Sequence, residues 1–132
     1  MVVLLQEKYK DDVWKLITCC IMLAVVKGTT VHNMEFKFFE RFPNAESVTS
    51  DERTLKDMIE LLRPLGFCNT RSKYIIGWSK HWLETKSIEN CKGVGRYAKE
   101  SYDIYVNKNY NFIPNDRELK KYVDYMNSPN KN

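Results

Sequence analysis

Between residues 91 and 98 the chain reads Cys91-Lys92-Gly93-Val94-Gly95-Arg96-Tyr97-Ala98, and the reading of this stretch decides the fold. Two glycines one residue apart let the backbone reverse sharply and leave consecutive N–H groups uncovered. Helical periodicity continues on both sides, so residues 91–98 read as a tight hairpin between two helical segments. After it, a helix is predicted from about Arg96 to Val106, carrying Tyr102 and Tyr105. A polar loop over 107–111 follows, and Pro114-Asn115-Asp116 opens a last helix that runs through about Met126.

Upstream the pattern is helical as well. Trp14, Ile17, Ile21 and Val25 predict a helix from about Asp11 to Lys27, stopped by Gly28. Phe36, Phe38, Phe39 and Phe42 mark a second, short helix that Pro43 ends, their rings assigned to the core. Ser50-Asp51-Glu52 supplies a cap and two acids for a third, with Leu55, Met58, Ile59 and Leu62 on its apolar side and a break at Pro64 and Gly66. A fourth is predicted from Asn69 or Thr70 to Leu83, with Tyr74, Ile75, Trp78 and Trp82 on one side, followed by a short connection over 88–92. No strand alternation and no internal repeat interrupts this series. The fold class is therefore all-α, one helical domain over residues 1–132, with residues 127–132 expected to be disordered.

Composition agrees. A chain of 132 residues and 15.7 kDa holds one domain, and 43% hydrophobic with 29% charged residues excludes a disordered or fibrous class. The longest uncharged run, 16–26, falls short of the roughly 20 apolar residues a membrane helix needs, so no membrane partner is expected. No basic residue precedes the opening Met1-Val2-Val3-Leu4-Leu5, which argues against a secretory signal and for an intracellular protein. Cys19 and Cys20 are adjacent while Cys68 and Cys91 stand apart; without a CxxC pair, reduced thiols are expected and no metal site. The net charge of +4 is unevenly spread. From Arg63 to Lys99 eight basic residues face only Glu84 and Glu89, a surplus that offers a footprint for phosphates or a solvated helix face.

The hairpin and the acid beyond it carry the chemistry. A Gly-Val-Gly turn followed by a helix N-terminus accepts a phosphate oxygen through backbone N–H groups, and Lys92 and Arg96 flank it with matching charge. Asp116 stands 21 positions beyond Gly95, where capping the last helix is its simplest role.

Taken together, Trp14-Lys15-Leu16, Phe42-Pro43 with Ala45-Glu46, Leu61-Leu62-Arg63-Pro64-Leu65-Gly66, Arg71-Ser72-Lys73, Gly93-Val94-Gly95-Arg96-Tyr97, Ser101-Tyr102 and Pro114-Asn115-Asp116 form an ordered series. Over about residues 12–126 this series resembles, in order and spacing, the helix-hairpin-helix DNA glycosylase superfamily, and within it the glycosylase domain of the methyl-CpG-binding domain protein 4 family. The resemblance implies a monofunctional base excision repair enzyme that hydrolyses the N-glycosidic bond of a flipped thymine or uracil mispaired with guanine in double-stranded DNA, in the nucleus. It puts Asp116 in the catalytic position, where a carboxylate stabilises the positive charge that develops on the deoxyribose and orients water. It puts Tyr97 in the base pocket and Phe67 where the family has a leucine wedge; an aromatic there can stack in the gap left by the extruded nucleotide. Gly93, Gly95, Lys92, Arg96, Arg71 and Lys73 become phosphate contacts, with no cofactor implied beyond a monovalent cation at the hairpin. Bifunctional relatives carry a lysine where this chain has Tyr97, and a phenol forms no Schiff base, so lyase activity is not expected. The cluster cysteines of some relatives are missing too.

Two departures stand out. Where the family has Asn-Arg-Thr-Ser-Gly after the first apolar run, this chain has Ala24-Val25-Val26-Lys27-Gly28, and Glu118 replaces a lysine two residues after the aspartate. Loss of a guanidinium-phosphate contact weakens capture of a flipped nucleotide. Two readings follow: an active glycosylase, or an inactive module of that fold used for DNA binding or for contact with a protein partner.

Overall fold

A helix with almost no charge has to be surrounded, and α2 (Val13–Leu23) is. Trp14, Leu16, Ile17, Thr18, Cys19, Cys20, Ile21 and Met22 are all buried along it. The computed structural model describes residues 4–24 and 28–129. Around α2 are arranged α1 (Leu5–Lys8), α3 (Gly28–Arg41), α4 (Glu52–Leu62), α5 (Cys68–Thr85), α6 (Arg96–Tyr105) and α7 (Arg117–Met126), with 3₁₀ turns at Ala45–Ser47 and Arg63–Leu65. Among the described residues there is no strand, so the all-α class holds. None of these helices is long and apolar enough to cross a membrane.

Burying α2 forces its few polar groups to find partners, and they find them on α5. The Trp14 indole donates to Ser79 Oγ at 2.9 Å, and the Trp78 indole donates to the Trp14 carbonyl at 3.3 Å. Thr18 Oγ1 turns back to the same carbonyl at 2.7 Å. Each such bond contributes about 1 kcal/mol when made and costs more when one partner is lost, so α5 is pinned across α2 in one register. One side of α2 joins α3, α4 and α5 in the main core, where Phe38, Phe42, Met58, Leu62 and Trp78 are wholly buried. Leu16 on the other side joins Ile104, Tyr105, Leu119 and Val123 of α6 and α7 in a smaller core. A buried carboxylate, Glu35 on α3, ties in the N-terminal segment: Lys8 Nζ lies 2.7 Å away and the Tyr9 hydroxyl donates to its other oxygen.

Four expectations are corrected. Gly28 does not stop α2; that helix ends at Leu23, where the Ala24 carbonyl turns to meet the Arg71 guanidinium, and Gly28 is the first residue of α3. Val25, Val26 and Lys27 lie outside the described residues. Phe36, assigned to the core with its neighbours, is 69% exposed, because helical geometry turns it away from the face that Phe38 and Phe39 bury. The third helix takes its cap from Asp51, whose carboxylate accepts the Thr54 N–H at 2.8 Å. Finally, Asn127 is ordered: its side chain donates to the Tyr110 carbonyl at 2.8 Å, while residues 130–132 are outside the described set.

The hairpin is seated directly on α5. Gly93 has φ +92°, and a Cβ there would come within 2.6 Å of Tyr74 Cγ. Gly93→Ala should therefore lower unfolding free energy by roughly 2–3 kcal/mol, combining backbone strain with overpacking, as read from urea denaturation followed by far-UV circular dichroism.

Candidate functional site

Asp116 leads α7 as its N-cap. One oxygen, Oδ2, accepts the N–H groups of Glu118 and Leu119, both at 3.0 Å. The other oxygen has no hydrogen-bond partner among the described residues. Capping and chemistry are thus divided between the two oxygens of one carboxylate: the cap sets the plane, and the second oxygen is left for another partner. The approach to Asp116 is held from α6, where Glu100 accepts the Asn115 N–H at 3.1 Å and pairs with Arg96 at 3.6 Å. Glu118, the departure noted above, is exposed and lies 3.4 Å from Lys121, so part of its charge is balanced locally.

The charge of Asp116 reaches Tyr97 and Cys20. Burial first, then the charges of Cys20 and Asp116, push the Tyr97 phenol far above its usual range. Desolvation pushes the Cys20 thiol up to about 12, which makes it an unreactive part of the floor. Tyr97 packs against both cores, so its position depends on the joint between them. Its hydroxyl accepts from Gln6 Nε2 at 2.6 Å, and the same amide reaches Ser101 Oγ at 3.4 Å. Gln6 is 1% exposed and was missed in the sequence. Its signal was there, an amide set against an apolar run, Val2 to Leu5, with no local partner to explain its burial.

At the hairpin, the Val94 N–H is spent on the Cys91 carbonyl at 3.1 Å, but those of Gly93 and Gly95 have no backbone acceptor among the described residues. Gly95 caps α6 without a side chain, so the first N–H groups of that helix are also unclaimed. Lys92 and Lys73 are exposed and make no ion pair among the described residues, whereas Arg63, Arg96 and Lys99 are paired with Glu60, Glu100 and Glu89.

The expected wedge, Phe67, is 79% exposed and left-handed at φ +46°, directly after Gly66 at φ +75°. A large apolar side chain held out on a strained residue is costly unless something covers it in use. Ile113, 76% exposed three residues before Asp116, is a second such side chain and was not singled out in the sequence. Arg71 requires a correction. It is 5% exposed, with Nη1 donating to the Gly66 carbonyl at 3.2 Å and Nη2 to the Ala24 carbonyl. It holds the turn before Phe67 to the end of α2, and does not face solvent as a phosphate contact would.

A family model described as HhH-GPD superfamily base excision DNA repair protein matches residues 18–132. A methyl-CpG-binding domain protein 4-like protein of Arabidopsis thaliana is 29% identical over 126 residues, covering 93% of this chain and 28% of that relative. The chain therefore spans less than a third of the relative's length.

The Gln6–Tyr97 bond makes a measurable claim. Tyr97→Phe removes the acceptor and leaves a buried amide with one long bond, which should cost about 1–2 kcal/mol in urea denaturation. Tyr97→Phe combined with Gln6→Leu should recover part of that loss.

Proposed function

The chain belongs to the HhH-GPD superfamily of base excision DNA repair proteins, and on that premise we propose that it is a monofunctional DNA glycosylase acting on a thymine or uracil mispaired with guanine in double-stranded DNA. The observation that carries this reading is the divided carboxylate of Asp116, one oxygen fixed by two N–H groups and the other unclaimed, within electrostatic reach of Tyr97.

The proposed steps use only groups already described. The hairpin N–H groups, with Lys92 and Lys73, grip phosphate oxygens, a contact independent of sequence. The carbonyl of Val94 takes no backbone N–H among the described residues, and that of Lys92 accepts only the weak Cys91 thiol at 3.7 Å; such hard oxygen donors would suit a monovalent cation that adds positive charge beside a phosphate. Phe67 enters the gap opened by the extruded nucleotide, and the flipped base meets the Tyr97 phenol, which the buried Gln6 amide holds in place. As the C1′–N bond breaks, the free oxygen of Asp116 stabilises the cationic sugar and orients a water molecule. That water delivers hydroxide to C1′, its proton passes to the carboxylate, and the base leaves with the bonding electron pair. Tyr97 offers no amine, so the reaction stops at an abasic site. A nuclear location follows from this role.

Asp116→Asn keeps the cap geometry but removes the charge, and base release from T:G and U:G duplexes should fall by about 10²–10⁴-fold with duplex affinity nearly unchanged. Wild-type protein that binds these duplexes yet releases no base would instead identify an inactive DNA-binding module, and release that survives Asp116→Asn would remove Asp116 from the chemistry. Lys73→Ala and Lys92→Ala should each weaken binding at all sequences and lower the salt slope of log affinity by about one, measured by fluorescence anisotropy between low and physiological salt.

A further inference from the structure

Between α5 and the hairpin lies a cavity of about 480 Å³ whose lining shares no residue with the Asp116 site. Its volume falls in the range of roughly 300–1,000 Å³ typical of small-molecule sites and far exceeds what a lone phosphate ion would fill. Its chemistry is of two kinds. Lys73 from α5 and Lys92 from the hairpin bring two ammonium groups, and Thr70 adds a hydroxyl. Tyr74 gives an aromatic wall, Asn90 an amide, and His81 an imidazole ring. His81 lines the cavity through its ring, while its Nε2 is buried away from solvent with no hydrogen-bond partner among the described residues.

Gly77 adds an independent observation. It lines the cavity from the middle of α5, where glycine weakens a helix, yet a Cβ there would meet nothing within 4 Å. Packing does not require glycine at this position. The space above it is what a larger residue would take away.

We propose that this cavity is a nucleotide-binding site, distinct from the acid site, that takes a single nucleoside 5′-phosphate unit: phosphate on Lys73, Lys92 and Thr70, base against the rings of Tyr74 and His81 with its polar edge on the Asn90 amide. The unit comes either from an unpaired position of a bound strand or from free nucleotide. Binding here does not depend on base release.

The test titrates the four deoxynucleoside 5′-monophosphates, and inorganic phosphate separately, into the full chain followed by amide chemical shifts. A second arm places 2-aminopurine at successive positions around a T:G mismatch, bound by the Asp116→Asn protein so that base release plays no part. Saturable nucleotide binding that shifts the Gly77, His81 and Asn90 amides supports a free ligand. A fluorescence rise at one position other than the mismatched base supports a strand nucleotide. Gly77→Met, which fills the cavity with a flexible helix-compatible side chain, should weaken the positive signal by about tenfold or more, while Gly77→Ala should leave it within about threefold. Thermal unfolding of both variants checks that the fold is kept. Inorganic phosphate binding as tightly as the nucleotides, a signal unmoved by Gly77→Met in a folded protein, or silence in both arms would each overturn the assignment.

Discussion

Everything in this domain is arranged around a helix that has little access to water. Because eight of the eleven residues of α2 are buried, the polar atoms they carry must be satisfied by a neighbour, and those neighbours are thereby fixed in place. Trp14, through its indole and its carbonyl, sets the crossing with Ser79 and Trp78 of α5. The Ala24 carbonyl at its end is taken by Arg71, which also holds the Gly66 carbonyl beside the exposed Phe67. On the opposite side, Cys20 lies beneath Tyr97 and within reach of the Asp116 charge. One buried rod thus positions Phe67, Tyr97 and Asp116, though it contributes none of them.

The functional groups follow a common economy, in which each has one structural bond and one valence left over. Asp116 caps α7 with one oxygen, and the Tyr97 hydroxyl accepts from Gln6 and keeps its proton to give. The hairpin closes with the Val94 N–H and leaves those of its two glycines open. This arrangement orients reactive groups through bonds made on folding, so little reorganisation is left for the moment of binding. Two positions stand out for their backbone: Phe67 is left-handed and exposed, and Gly93 has a conformation and a clearance that a larger residue would not meet.

The helical series, the hairpin and the acid at the start of the last helix were all legible in the sequence, since each is a local signal: apolar spacing, a Gly-x-Gly turn, a capping residue before an apolar run. Where local signals misled, a distant partner was responsible. Gly28 read as a helix stop because the apolar period continued to Val25, but α2 ends earlier, where its last carbonyl meets Arg71, 47 residues away. Arg71 read as a surface cation because arginines usually are; its burial depends on two carbonyls that no local pattern announces. Phe36 was grouped with its aromatic neighbours, and only the packed face of α3 separates it from them.

What the sequence alone determined is the all-α class, the hairpin and the identity of the candidate acid, because these depend on residues close together in the chain. Only the tertiary structure decided that Gln6 reaches Tyr97 across 91 positions, that Asp116 keeps one oxygen unclaimed among the described residues, and that Lys73, His81 and Lys92 share a cavity. The reason is physical. Periodicity and turn chemistry are encoded over a few residues, whereas a hydrogen bond between remote side chains exists only once the core has closed and fixed the distance between them.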